Sequence, residues 1–176
     1  AAYYRPHYTD DVAGVELSAA LKNLFAIGVG TATGMLDVAK PTTSNAAMHN
    51  VSAALFAEAV AELRYLVPAL GGREATAAGF AGMGDLYVTC QAGRNMRLGR
   101  LLGGGIPVAQ ARENMKGETV EGADLAEEVG PDLRRMMDGG VLDADRLPLL
   151  CAILRAVCDG EAWRPPDTAT FLAPDA

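Results

Sequence analysis

The chain of 176 residues predicts an all-α fold, and three observations carry that reading. Half of its residues are hydrophobic but only 6% are aromatic, with alanine and leucine dominant, a composition that packs as helices rather than as a β-sandwich. Apolar residues recur at helical spacing along most of the chain. Glycines and prolines punctuate it where helices would end, and no internal repeat or second strand-rich region appears. The length is enough for one domain with a proper core.

Ala1 to Asp11 (AAYYRPHYTDD) alternates aromatics and ends in Thr9-Asp10-Asp11, a short strand feeding a helix cap. One strand makes no sheet, so its partners are expected outside this chain. Val12 to Thr33 predicts an internal helix with Val15, Leu17, Leu21, Leu24, Phe25, Ile27 and Val29 apolar. Lys22 stands in its middle beside Asn23. A lysine among apolar residues is costly unless paired or reaching water, so a surface lysine and a functional one are both live readings. Gly28-Val29-Gly30 with Gly34 follows a helical run and not a strand, so it is rejected as a dinucleotide fingerprint.

Met35 to Asn50 reads as a loop because of Pro41 and its hydroxyl residues, with Ser44 or Asn45 capping the next helix. Ala46 to Leu70 is a long helix that Pro68 should disturb and Gly71-Gly72 should end. Glu74 to Ala78 leads as a short helical piece into a glycine-rich stretch, Ala78 to Arg100 (AGFAGMGDLYVTCQAGRNMRLGR). That stretch sets Asp85, Thr89 and Gly93-Arg94-Asn95 ahead of a helical run, Met96 to Leu102. A helix start offers free N–H groups and positive potential, so an arginine there suits a phosphate. A connector with a solvated arginine is the competing reading. Ile106 to Met115 and Glu121 to Val129 predict two short helices, and Asp132 to Asp138 a further turn. Asp143 to Asp159 predicts the last helix, and the tail from Trp163 is expected to be loosely ordered.

A formal charge of −7 argues against nucleic acid or an anionic membrane as partner. No apolar run is read as a membrane span, and no signal peptide is recognised. Cys90, Cys151 and Cys158 form no CxxC and predict reduced, buried thiols in a cytoplasmic protein. His7 and His49 have no ligand-spaced neighbours, so no metal site is expected.

Gly14-Val15-Glu16-Leu17 with Ala20-Leu21-Lys22-Asn23, Gly82-Met83-Gly84-Asp85-Leu86, Thr89-Cys90, Gly93-Arg94-Asn95 and Val120-Glu121-Gly122 occur together and in order. The set resembles the C-terminal substrate domain of NAD(P)-dependent glycerol-3-phosphate dehydrogenase over about residues 3 to 160. The resemblance implies an all-α fold of the 6-phosphogluconate-dehydrogenase C-terminal-like type. It also implies that 1–11 is the remnant of a nucleotide domain's last strand, that 12–162 is the substrate domain, and that 163–176 is a tail. Lys22 then resembles the general acid/base that protonates the dihydroxyacetone phosphate carbonyl. Asn23, Asp85, Thr89, Gly93, Arg94 and Asn95 would bind substrate, with Arg94 and Asn95 at its phosphate. Arg94, Val120 and Glu121 would touch the cofactor, NAD or NADP, held mainly by a Rossmann domain outside this chain.

Departures from the family pattern are Gly93 where bacterial members commonly carry serine, and Glu58 where an arginine is usual. The 35–50 loop is also altered, and a segment near 131–143 looks inserted. Glu58 is expected to reverse a charge near the site, which supports an alternative, a dehydrogenase for another small hydroxy acid. A non-catalytic helical dimerisation domain of the same fold is the other class of reading; a homodimer of the parent is a separate expectation about partners.

Overall fold

The computed structural model describes residues 6–39 and 45–166. Among these it contains helices and turns only: α1 (Val12–Ala39), α2 (Asn45–Ala69), α3 (Glu74–Ala77), a π-helical turn (Phe80–Gly84), α4 (Asp85–Thr89), α5 (Arg94–Gly103), α6 (Val108–Asn114), α7 (Glu121–Asp138), a 3-10 turn (Ala144–Arg146) and α8 (Pro148–Cys158).

The central helix is α1, and its sequence explains why. Leu24, Phe25, Ala26 and Ile27 are buried in succession, so the helix is enclosed on several sides, by α2, α5, α7 and α8. Its closest neighbour is α5, and small residues make the approach possible. A methyl built on Gly30 would lie 3.0 Å from the Met96 Cα, and one on Gly34 would lie 2.5 Å from the Gly104 nitrogen. On the facing helix, methyls on Gly99 and Gly103 would overlap the carbonyls of Ile27 and Thr31. Of the glycines that superficially match a nucleotide fingerprint, Gly30 and Gly34 therefore let two helix backbones touch, and Gly28 makes room for the Leu149 and Ile153 side chains of α8.

Asp11 starts α1 and ties it down. Its Oδ1 accepts the Gly14 N–H at 3.1 Å, an N-cap bond, while Oδ2 accepts the Arg73 N–H at 2.9 Å and the Thr76 hydroxyl at 2.5 Å at the start of α3. One buried carboxylate thus joins two helix starts. The Thr76 hydroxyl above all, helped by these N–H groups, holds its carboxyl below the usual carboxylate range.

A second buried carboxyl group caps α8 from a distance. Glu62 on α2 is 1% exposed, and its two oxygens accept the N–H groups of Leu149 and Leu150 at 2.5 and 2.8 Å. These are first-turn donors of α8 with no intrahelical acceptor, and Pro148 begins that helix without needing one.

Several boundaries differ from the sequence expectation. α1 continues to Ala39 and α2 begins at Asn45, so the expected loop of 35–50 shrinks, and residues 40–44 lie outside the described set. With that extension α1 is long and apolar enough to cross a membrane by length and composition. Its backbone contact with α5 and its buried flanks account for that apolar character as a bundle core. α7 runs unbroken through Gly130-Pro131 to Asp138, where the sequence suggested a helix ending at Val129 and a separate turn from Asp132. Pro131 lies on the exposed face while Gly130 and Leu133 stay buried, so packing against α8 carries the helix past the proline. The segment 80–89, for which a glycine-rich connector and a ligand-binding stretch were the two readings, is helical.

Residues 6–11 are irregular, without a strand partner among the described residues, and the rest of the expected strand lies outside them. Trp163 is half-buried and Pro166 buried, so the start of the expected loose tail packs on the domain, and 167–176 lie outside the described residues. The thiols are free but less buried than expected: Cys90 and Cys151 are half-buried and Cys158 is exposed. Burial pushes the Cys90 thiol up to about 12, so it stays protonated at neutral pH.

Candidate active site

Four elements bring the sequence-selected residues together. α1 supplies Lys22 and Asn23, α4 supplies Asp85 and Thr89, the start of α5 supplies Gly93, Arg94 and Asn95, and the start of α7 supplies Val120 and Glu121. The π-helical turn aims α4: Gly84 donates its N–H to the Gly79 carbonyl at 3.0 Å, the wide turn this geometry requires. A methyl on Gly82 would sit 2.6 Å from the Ala77 carbonyl carbon, so only glycine lets the chain fold back this tightly. Asp85 then begins α4 facing α1, and its Oδ2 pairs with the Lys22 ammonium. The Lys22 side chain is 16% exposed and that of Asp85 39%, so the pair sits at the edge of solvent rather than beneath it.

Beside it lies a buried amide pair. Asn95 is 8% exposed, donates from Nδ2 to Asn23 Oδ1 at 3.0 Å, and accepts the Gly122 N–H on Oδ1 at 2.9 Å. Asn23 Nδ2 in turn donates to the Ala19 carbonyl at 3.3 Å. Three helices, α1, α5 and α7, meet at this tie. Gly93 precedes α5 with φ of 122°, a conformation that strains any residue with a side chain, which gives the glycine at this position a backbone reason. Arg94, at the first position of α5, reaches Glu121, at the first position of α7, at 3.3 Å, with both largely exposed. Two helix N-termini therefore converge where Arg94 stands, adding their positive ends to its charge.

Not every selected residue behaves alike. The Thr89 hydroxyl donates to the Asp85 carbonyl at 2.8 Å, a bond within its own helix. Val120 is 3% exposed with its side chain in the core, so only its backbone can meet a ligand. Glu58 lies one turn from Glu62 on α2, and burial pushes its carboxyl up. Sequence reading also passed over Gly122, where a methyl would lie 2.6 Å from the Asn23 carbonyl carbon. The Val-Glu-Gly motif was the available signal, and its glycine is what admits α7 to the site.

An open cleft of about 1180 Å³ adjoins the pair. Asp85, His7, Thr9, Arg73, Thr76 and Phe80 are among its lining residues, whereas Lys22, Arg94 and Asn95 are not, so it reaches the site from the Asp85 side only. No group of three or more candidate metal ligands occurs among the described residues. Toward a dinucleotide, the exposed Arg94 and Glu121 offer one cation for a phosphate and one carboxylate for hydroxyls, which suits the edge of such a ligand. The helix-packed glycines of α1 leave no cradle for its diphosphate there.

Comparison with known proteins places this arrangement. The family model for the C-terminus of NAD-dependent glycerol-3-phosphate dehydrogenase matches residues 11–164. A glycerol-3-phosphate dehydrogenase [NAD(P)+] of Erythrobacter litoralis is 34% identical over 174 residues, covering 90% of this chain and 49% of that protein. The enzyme of the same name from Thermobifida fusca is 41% identical over 122 residues, covering 68% of this chain and 33% of that protein. Among solved structures, glycerol-3-phosphate dehydrogenase of Coxiella burnetii superposes with a TM-score of 0.67 at 29% identity, covering 96% of this chain and 46% of that one. The chain thus spans half or less of the length of these relatives. Its whole bundle, from the cap of α1 to the end of α8, lies inside the matched region, and the chain belongs to the family of the NAD-dependent glycerol-3-phosphate dehydrogenase C-terminal domain.

Proposed function

We propose that this chain is the substrate-binding, proton-handling half of an NAD(P)-dependent sn-glycerol-3-phosphate dehydrogenase, interconverting glycerol 3-phosphate and dihydroxyacetone phosphate. The observation that supports it best is the Lys22–Asp85 pair, closed between α1 and α4 beside Asn23 and Asn95. In the reducing direction a bound nicotinamide would supply the hydride that the carbonyl carbon receives. Lys22 Nζ gives its proton to the carbonyl oxygen and regains one from water, and in the reverse direction the neutral amine takes the alcohol proton. Asp85 holds the ammonium in place and accepts a substrate hydroxyl. The phosphate lies toward Arg94 and the first N–H groups of α5, and Glu121 with the Val120 backbone touches the cofactor. The cofactor itself is held mainly by a nucleotide-binding domain of the longer parent. The chain alone should therefore not turn over NADH.

In that parent, Lys22→Ala should lower kcat by about a hundredfold or more, within the usual range for losing a general acid/base, with little change in KM. An unchanged kcat would remove Lys22 from proton transfer. Arg94→Ala should raise KM for glycerol 3-phosphate about tenfold or more, since hydrogen bonds to charged groups are worth ~1.5–3 kcal/mol. Inhibition by a non-phosphorylated analogue should be spared, and equal damage to both would overturn the phosphate assignment. A purely structural domain would leave the Lys22–Asp85 pair without a purpose, and Glu58 keeps another small hydroxy acid as the second reading.

A further inference from the structure

We propose that Asp11 is a positioning residue for the Lys22–Asp85 pair, holding at a fixed separation the helix that carries Lys22 and the chain that delivers Asp85. This rests on the proton-handling role given to that pair above. The Asp11 carboxylate serves both helix starts at once. Oδ1 accepts the Gly14 N–H, a first-turn donor of α1, while Oδ2 accepts the Arg73 N–H and the Thr76 hydroxyl of α3. Asp11 is 6% exposed, so these three donors turn to one carboxylate and not to water. Two glycines make its seat. A methyl on Gly14 would fall 2.5 Å from the Asp11 Cγ, in the space the carboxylate takes, and one on Gly72 would lie 2.6 Å from the Gly14 Cα. The leading glycine of the Gly-Val-Glu-Leu motif thus makes room for this tie.

Both arms of the tie end at the pair. Lys22 follows Asp11 by eleven residues, which is three helical turns, so the two side chains leave on one face about 16 Å apart along α1. On the other arm, short-range bonds run from Thr76 to the start of α4. Gly79 donates to the Thr76 carbonyl at 3.2 Å, and Gly84 donates to the Gly79 carbonyl at 3.0 Å. Gly82 rests against the Ala77 carbonyl, where a methyl has no room. Thr76 and Asp85 both line the open cleft, so a shift of this arm reaches the site directly. A displaced start of α3 therefore moves Asp85 relative to Lys22. By contrast α5, which carries Arg94, is seated on α1 from Ile27 to Gly34, beyond Lys22, and the phosphate end is spared.

Asp11→Ser separates the two arms, because serine caps a helix about as well as aspartate but is too short to reach α3. Thr76→Val breaks the tie from the other side without changing charge, and Thr76→Ser keeps the hydroxyl. In this chain, NOEs between the Lys22 ε-protons and the Asp85 β-protons should be lost in Asp11→Ser and Thr76→Val, with helix content retained, and should persist in Thr76→Ser. Glu62→Gln weakens the fold at α8 instead and should keep them, which separates positioning from a general loss of stability. In the parent, Asp11→Ser should lower kcat about tenfold or more, since a misplacement of about 1 Å can cost about a hundredfold. Inhibition by inorganic phosphate should hold. Added to Asp85→Ala, the same change should lower kcat little further, because both act through one pair. NOEs intact in both tie-breaking variants overturn the proposal, and so does their equal loss in Glu62→Gln. NOEs lost with kcat unchanged uphold the positioning and overturn instead the role of the pair in proton transfer.

Discussion

Glu62 provides the most direct physical test of this fold. Its carboxyl is pushed up to about 8, chiefly by burial, against the two N–H groups of α8 that favour its anion, with Glu58 one turn away adding repulsion. In the unfolded chain the same group titrates near 4.5. Between those values the folded state holds a proton that the unfolded state has released. Unfolding stability must therefore fall as pH rises across this window. One proton of difference is a slope of ~1.4 kcal/mol per pH unit, so raising the pH by two units inside the window should cost about 2–3 kcal/mol. Urea unfolding followed by circular dichroism at constant ionic strength, at steps from about pH 5.5 to 8.5, reads this directly. Glu62→Gln, which cannot ionise, should be less stable at the acid end because its amide can accept only one of the two N–H groups. Its stability should also lose the Glu62 slope. Glu58→Gln, removing the neighbouring charge, should move the upper end of the window toward lower pH. If the unaltered chain and Glu62→Gln change with pH in parallel from pH 5.5 to 8.5, the reasoning fails.

Two further substitutions probe the packing that positions the site. Gly122→Ala places a methyl 2.6 Å from the Asn23 carbonyl carbon, and an overpacked contact of this kind costs about 1–3 kcal/mol. Denaturant midpoints should drop accordingly, and an unchanged midpoint would mean that α7 does not approach α1 as closely as described. Asp11→Ala removes the cap of α1 and its tie to α3, so the variant should melt lower at neutral pH. Because the folded carboxyl sits below its ordinary value, its contribution is present above about pH 4 and is lost as pH falls through the lowered value. The two melting curves should therefore converge in strong acid, and a constant offset at every pH would exclude the carboxylate as the cause.

The residues themselves explain which features were legible in the sequence. α2 and α8 carry long apolar stripes, so periodicity finds them; Gly71-Gly72 ends α2 as expected, but the last helix, expected from Asp143, starts only at Pro148 after the 3-10 turn. α7 shows the limit of local rules. Gly130-Pro131 reads as a stop, but the helix continues because the proline faces out and Leu133 reaches the core beyond it. Tertiary burial overrides the local penalty. Glu62 and Asp11 mark a second limit. A cap supplied by a residue 87 positions away leaves no trace in the spacing around Leu149, and the distant half of Asp11's role, at Arg73 and Thr76, is equally silent.

Glycine is where the two kinds of information meet. The dense glycines of 79–84 read as a loop made for a ligand, and Gly28-Val29-Gly30 read superficially as another. Both serve close approach, but of the chain to itself: Gly30 to the backbone of α5, Gly82 to the Ala77 carbonyl, Gly122 to the Asn23 carbonyl. Their effect on chemistry is indirect. Gly82 allows the turn that delivers Asp85 to Lys22, and Gly122 brings α7 close enough for its N–H to reach Asn95 Oδ1. The polar residues could be matched to a family motif one by one, but what each can donate or accept depends on which backbone these glycines bring alongside it. Replacing Gly122 should therefore damage the site by pressing on the Asn23 backbone and the Asn95 amide.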